Sequence, residues 1–418
     1  MSRGLKATAA FALAVLLAAG CAKGSATRES APDGKSTIRY FTFSAAPDHL
    51  ADLDKIIKAF EAANPSVTVT VETAPYADYF TKLQTAIAGN TAPDTFELNY
   101  ESFVAYAASG ALADLSGEAA KDDLSVYAAK SLDTFKRDGR QLALPASYSA
   151  VLLFYNKDLF DKAGLPHPTA DWTWDQEMAA AKKLTGKGVY GDFQPVQFFE
   201  FYKALAQAGG AFFSDDGKRA TFNSPQGVAA AKHLLDKPGT VMPTVAQIGG
   251  TPDYDTNLFK QGKLAMWHNG IWQFAGLKDV PFQWDVVVEP APVKASAVFT
   301  NAVAVSPGAK NPAAAYKWLR FLTASDVTAR TRIDSSWELP PLADAKAYAG
   351  YFDQGPPANR RAILDAVASA TSPPVIVRQQ EMQDTVTKAL EQAAAGKTPI
   401  QKALDDAAAK VDELIKQA

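Results

Sequence analysis

Residues 151–160 read VLLFYNKDLF and carry the chain from an apolar strand straight into a polar cap. Val151 to Tyr155 has the apolar run of a strand, and Asn156 and Asp158 can bond the local backbone where the strand ends. On the N-terminal side, Ile38 to Phe43 (IRYFTF) reads as a buried first strand. Asp48 to Ala63 then places Leu50, Leu53, Ile56, Ile57 and Phe60 at helical spacing and stops before Asn64 and Pro65. Ser66 to Thr73 alternates Val67, Val69 and Val71 with polar residues, a second strand, and Tyr79, Leu83 and Ile87 line a second helix. On the C-terminal side, helices are expected over 175–184, 227–235, 313–322, 381–395 and 400–415. Strand and helix alternate without an internal repeat, so an α/β fold is expected, its sheet largely parallel with helices on both faces. In such sheets ligands settle outside the carboxyl ends of the strands, and the loops there are where a site belongs.

At 418 residues the chain is too long for one ordinary core, so two domains are expected. Hydrophobic residues make up 47% and charged residues 21%, as in a soluble globular protein. The net charge of −3 argues against nucleic acid as a partner. Residues 1–20 stand apart: Arg3 and Lys6 precede an apolar run from Ala9 to Leu17, and Ala18, Ala19 and Gly20 lead into Cys21. That is the layout of a secretory signal, too short to span a bilayer comfortably. Its removal takes two positive charges and leaves the mature chain near −5. Cys21 is the single cysteine, so an internal disulfide cannot form. Residues 22–36 (AKGSATRESAPDGKS) are small and polar, the composition of a flexible tether, and the folded body is expected from about Thr37.

Small residues before Cys21 resemble the lipobox of bacterial lipoproteins, in which the cysteine is lipidated and becomes the mature N-terminus; Ala18 stands where that pattern usually has leucine, with Leu17 one step earlier. Five further segments, in order, resemble the extracellular solute-binding proteins of ATP-driven (ABC) sugar importers, the maltose-binding-protein-like group. They are Pro93-Asp94-Thr95 with Ala111 to Leu115; Leu144-Pro145; the Tyr155 to Phe160 string with Ala163-Gly164-Leu165, Pro168 and Thr173-Trp174; Phe259 to Trp272 (FKQGKLAMWHNGIW); and Lys310-Asn311-Pro312 to Leu322. The resemblance implies a two-lobed, periplasmic-binding-protein-like (type II) fold with a hinge and an interlobe cleft. It places the crossings near Tyr148, Phe299 and Ser325, so that the lobes comprise 37–148 with 301–325, and 149–300 with 326–418. It also implies a monomer anchored to the outer face of the membrane through Cys21. Such a monomer takes up a mono- or oligosaccharide, hands it to the permease subunits of an ABC transporter, and needs no cofactor and no metal.

Sugar rings present flat C–H faces that stack on indole, while their hydroxyls require polar partners, so a pocket of aromatic walls with a few placed polar groups is the expected chemistry. Trp272, beside Gly270, matches the family's stacking tryptophan. Trp337 and Glu338 lie in a loop that lines the cleft in relatives. Phe43 and Ser44 end the first strand, Tyr76 follows the second, and Asn99, Tyr100 and Glu101 follow the third. Tyr148 is expected at the hinge, with Asn269 and Asn301 beside strand ends. Trp172, Trp174, Trp267, Trp284 and Trp318 are expected to be structural, and His49, His167, His233 and His268 to be surface or packing residues. Enzyme readings find little support: there is no G-x-S-x-G elbow and no H-E-x-x-H pair. Gly186 to Gly191 matches G-x-G-x-x-G but follows a helix rather than a strand. The alternatives are a binder of another solute, such as a polyamine or peptide, and a glycoside hydrolase. The hydrolase would need two carboxyls about 5–10 Å apart, for which Glu101, Glu200 and Glu338 are available.

Overall fold

Ten strands and sixteen α-helices follow one another in the computed structural model, which describes residues 35–417 except Pro252, Ala349 and Ser372. The signal segment, Cys21 and nearly all of the tether lie outside the described residues. The first stretch runs β1 (Ser36–Thr42), α1 (Pro47–Ala63), β2 (Val67–Thr73), α2 (Tyr76–Ala88), β3 (Thr95–Asn99), α3 (Tyr100–Ala108), α4 (Ser116–Ala119) and α5 (Ala129–Thr134). A two-residue hairpin, β4 (Lys136–Arg137) and β5 (Arg140–Gln141), leads into the long β6 (Ala143–Asn156). Then come α6 (Lys157–Ala163), α7 (Trp174–Leu184), α8 (Phe198–Gln207), α9 (Pro225–Leu235), α10 (Val245–Ile248) and α11 (Tyr254–Lys260). The rest comprises β7 (Met266–Gly270), β8 (Trp284–Val287), β9 (Ser296–Val305), α12 (Pro312–Ala324), α13 (Asp326–Ser335), α14 (Ala362–Ala368), β10 (Ala370–Thr371), α15 (Gln379–Ala394) and α16 (Ile400–Lys416). Among the described residues no helix is long and apolar enough to cross a membrane.

Local chemistry sets several boundaries. Asn156 ends β6 and its side-chain oxygen accepts from the Leu159 amide at 3.2 Å, capping α6. That helix stops at Gly164, whose φ of 64° lies in the left-handed region that glycine reaches without penalty. Thr173 and Gln176 form a reciprocal capping box at the start of α7.

The main sheet has the order β2-β1-β3-β9-β6-β7, with β8 also on β6 and β10 on β9. β1 runs parallel to β2 and β3, whereas the β3–β9, β9–β6, β6–β7 and β6–β8 pairs are antiparallel. The sheet is therefore mixed, which corrects the expectation of a largely parallel one. The cause is that β6 and β9 cross the whole molecule in opposite directions. The first half of β6 pairs with β9 (Ala143↔Ala304 to Ala150↔Val298) and its second half with β7 and β8. A register shift between Pro145 and Ser147 accommodates the proline, which has no amide hydrogen to give to the ladder.

Apolar side chains gather on either side of this crossing. Two clusters draw on residues 38–146 and 302–322, around Ile56, Phe60, Trp318 and Leu319, and around Tyr79, Phe96, Phe103 and Phe135. Two others draw on 150–297 and 333–414, around Phe154, Trp267 and Trp284, and around Phe201, Leu234, Met382 and Leu404. Trp172, Trp267, Trp284 and Trp318 are buried, and Trp174 stacks on His233 with ring centroids 4.1 Å apart. The result is two lobes sharing two continuous strands.

Candidate ligand-binding site

The carboxyl ends of β1 and β3 meet the middle of β6 and β9, and polar side chains collect there. Thr42 Oγ1 donates to Glu97 Oε2 at 2.5 Å, and Ser44 Oγ lies 3.3 Å from the same oxygen. One register step away, Ser147 on β6 donates to Glu338 Oε2 at 2.5 Å, and Asn301 on β9 donates to both oxygens of Glu338 at 3.2 and 3.3 Å. Arg332 Nη1 stands 3.8 Å from Glu338. Burial pushes Glu97 up to about 7; the Thr42 hydrogen bond opposes this and the Glu338 charge adds to it. Glu97 was not singled out from the sequence, although a lone carboxylate in the strand TFELN was a signal that could have found it.

Aromatic rings line the adjoining surface. Trp272 is half-buried in a single 3₁₀ turn, Ile271–Gln273, and its six-membered ring lies over Gly270 so closely that a Cβ there would fall 1.9 Å from it. Only glycine leaves room for that approach. Trp272 meets Phe299 edge-on at 5.7 Å, and Phe299 meets Phe199 at 5.5 Å, both of these phenylalanines also half-buried. Three rings thus form a continuous run from α8, β9 and the turn after β7. Phe199 and Phe299 were missed as site residues. In FFEFY, Phe198, Phe201 and Tyr202 take the buried face of α8, and helical spacing leaves Phe199 off it. From the other lobe, Phe43 packs edge-on against Tyr76 at 5.4 Å, and Tyr76 is 54% exposed. Asn99 caps α3 and donates to the Tyr76 hydroxyl at 2.9 Å, fixing that ring.

Other expected site residues are engaged elsewhere. Trp337 is 2% exposed: His49 stacks on it at 4.6 Å and the Arg332 guanidinium lies over it at 4.1 Å, leaving no ring face for a ligand. Tyr148 shares a two-way backbone bridge with Leu339 and packs on Tyr348. Asn269 turns toward Asp255 and the Gly270 amide, and Tyr100 packs toward Phe135. Glu101 accepts from Gln383 on α15 at 2.7 Å, while its Oε1 and the hydroxyl of Tyr202 have no hydrogen-bond partner. Burial raises Glu101 to about 7, against the hydrogen bond from Gln383. Glu200 is fully buried against Lys203, so it is not available as a cleft carboxylate.

His268 is buried, and its neighbours are charged rather than apolar. It sits 3% exposed among Glu177, Asp192 and Glu289, with Nε2 3.0 Å from Glu177 and Nδ1 2.6 Å from Glu289. Glu177, Asp192 and His268, and likewise Glu200, His268 and Glu289, have the donor types of a metal site. Lysine ammonium groups already hold those oxygens: Lys237 bonds Glu177 and Asp192, and Lys203 bonds Glu200 and Glu289. The protein's own cations thus hold one oxygen of each carboxylate, while Glu177 Oε2, Asp192 Oδ1, Glu200 Oε1 and Glu289 Oε2 have no hydrogen-bond partner.

Comparison with known proteins adds four findings. Residues 46–329 match the family described as bacterial extracellular solute-binding protein. A maltooligosaccharide ABC transporter solute-binding lipoprotein of Streptococcus pneumoniae is 26% identical, covering 100% of this chain and 99% of its own length. An ABC substrate-binding protein of Listeria monocytogenes, solved in complex with cycloalternan, is 42% identical, covers 91% of this chain and 98% of that one, and superposes with a TM-score of 0.86. A solute-binding protein of Thermotoga lettingae bound to α-D-tagatose shares the fold, at 23% identity and TM-score 0.82, covering 91% of this chain and 100% of that one.

Proposed function

Because this chain belongs to the bacterial extracellular solute-binding proteins, we propose that it captures an oligosaccharide in the interlobe cleft and delivers it to the permease of an ABC transporter. The observation that carries the sugar reading is the run of half-buried rings Phe199, Phe299 and Trp272 beside the polar floor of Ser44, Glu97 and Asn301. Such a wall stacks on successive sugar rings while the floor receives hydroxyls. Phe43, Tyr76 and Asn99 face it from the first lobe. The two most informative relatives, one named for maltooligosaccharides and one solved with cycloalternan, support a ligand of more than one ring.

The lobes we assign comprise 37–148 with 301–325 and 149–300 with 326–418. A ligand touching both stabilises the closed arrangement by its differential affinity, and the closed arrangement is what a permease recognises. We assign no chemistry to the site: the sugar leaves as it came. Cys21 carries the lipid anchor, which holds through several acyl chains at about 0.8 kcal/mol per buried methylene. Titration calorimetry of the mature chain with maltotriose, longer maltooligosaccharides and cycloalternan is expected to give saturable binding with no new reducing ends. Absence of binding to every member of that panel refutes the sugar reading, and release of reducing ends refutes the binding-only reading. A Cys21→Ser chain is expected to leave the membrane fraction.

A further inference from the structure

The buried charge network around His268 joins the elements that present the aromatic wall. Its members come from six places: Glu177 on α7, Asp192 and Gln194 in the segment after it, Glu200 and Lys203 on α8, Lys237 after α9, His268 on β7, and Glu289 after β8. None is more than 3% exposed. Lys203 Nζ bridges Glu200 at 2.6 Å and Glu289 at 2.5 Å. His268 Nδ1 meets the same Glu289 oxygen at 2.6 Å, so β7 and α8 are tied together through a single carboxylate. Glu200 follows Phe199 directly on α8. His268 is two residues from Gly270, hence on the same face of β7, and Gly270 is the floor on which Trp272 rests.

Burying this many charges is costly, and apolar replacements of similar shape often match or exceed the stability of a buried ion pair. The network's distinctive product is geometry. We infer that His268 is a positioning residue for ligand binding: bridging Glu289 and Glu177, it sets β7 against α8 and thereby the spacing of Trp272 and Phe199. This rests on the reading of those rings as the sugar wall.

With a carboxylate at each ring nitrogen, both nitrogens donate and the ring is an imidazolium. Burial and the Lys237 ammonium push its pKa down, and Asp192 and Glu177 outweigh them, so it is raised to about 9. The other groups facing it are Glu200, Lys203 and Glu289, and His233 on α9, which burial holds well below the usual histidine range. The positioning charge is present at neutral pH and is lost as pH rises through about 9.

The test uses the mature chain, with maltotriose and cycloalternan as probes, from pH 6 to 10.5. Wild-type affinity is expected to hold to about pH 8 and to fall by about tenfold near pH 10. His268→Gln, uncharged and able to donate to one carboxylate, is expected to bind about tenfold more weakly at pH 7, without the alkaline fall. A second readout needs no ligand: the part of the tryptophan emission absent in Trp272→Phe is expected to shift through pH 9 in wild type and to be already shifted in His268→Gln. If His268→Gln does not fold, Glu289→Gln, which keeps the shape but loses the shared charge, is read in the same way. Unchanged affinity, pH profile and emission in the variant overturn the inference. If wild type binds neither probe, the sugar reading falls and the emission readout still decides this one.

Discussion

In the proposed function, Trp272 is the residue on which binding turns. Its ring is half-buried and rests on Gly270 rather than inside either apolar core, so Trp272→Ala removes a ligand surface and little packing. Binding is expected to weaken by about 2 kcal/mol or more, as for a tryptophan at the centre of an interface, while the thermal midpoint stays nearly unchanged; calorimetry and a melting curve check both. Glu101 makes a different prediction. Its carboxyl rises from the ordinary range to about 7, so between roughly pH 4.5 and 7 the folded protein holds a proton that the unfolded chain has lost, and stability falls as pH rises through that window. Glu101→Gln keeps an acceptor for Gln383 and removes the charge. Its melting point is expected to match wild type near pH 4.5 and to exceed it at pH 8. The half-buried position of Trp272 over Gly270 was readable from the glycine beside it and from the string around it, and its contact with ligand is a proposal. Trp337 was not, because a sequence does not say which ring faces are covered, and His49 lies far from it along the chain. The His268 network was equally hidden: its carboxylates and lysines are scattered from 177 to 289 and share no motif.

At the scale of elements, amphipathic spacing placed the helices well. The expected 175–184 is found as Trp174–Leu184 and the expected 400–415 as Ile400–Lys416. β6 was read only over Val151 to Tyr155, yet it extends back to Ala143. The missed half, ALPASYSA, looks unlike a strand because Pro145 sits at the register shift and Ser147 serves the polar floor. The residues that obscure the strand are those that make the proposed site. β7 supplies a direct test of how an element's end presents a ring. Gly270 has an ordinary φ of −93°, so Gly270→Ala strains no backbone and acts only by displacing the Trp272 ring. Ligand affinity is expected to drop by about tenfold with a nearly unchanged melting point, as titration of the variant reads directly.

For the whole molecule, the α/β class and the two-lobed plan were legible, the first from alternating periodicities and the second from motif order. The antiparallel centre was not, since pairing between distant strands leaves no local mark. Ligand held between the lobes and absent from the unfolded chain stabilises by about 2.7 kcal/mol at a hundredfold excess over Kd. A rise of roughly 3 °C in melting point with cycloalternan or a maltooligosaccharide is therefore expected, and scanning calorimetry measures it. The pairing of β3 with β9 carries one more consequence. Asn99 finds its neighbour in Asn301, so the inner edge of the first lobe's sheet stays unsatisfied until almost three-quarters of the polypeptide has been made. Such distant closure makes for slow folding. Until β9 is made, that edge of the emerging chain has no strand to close it, and a sheet not yet closed is one a translocase can still thread.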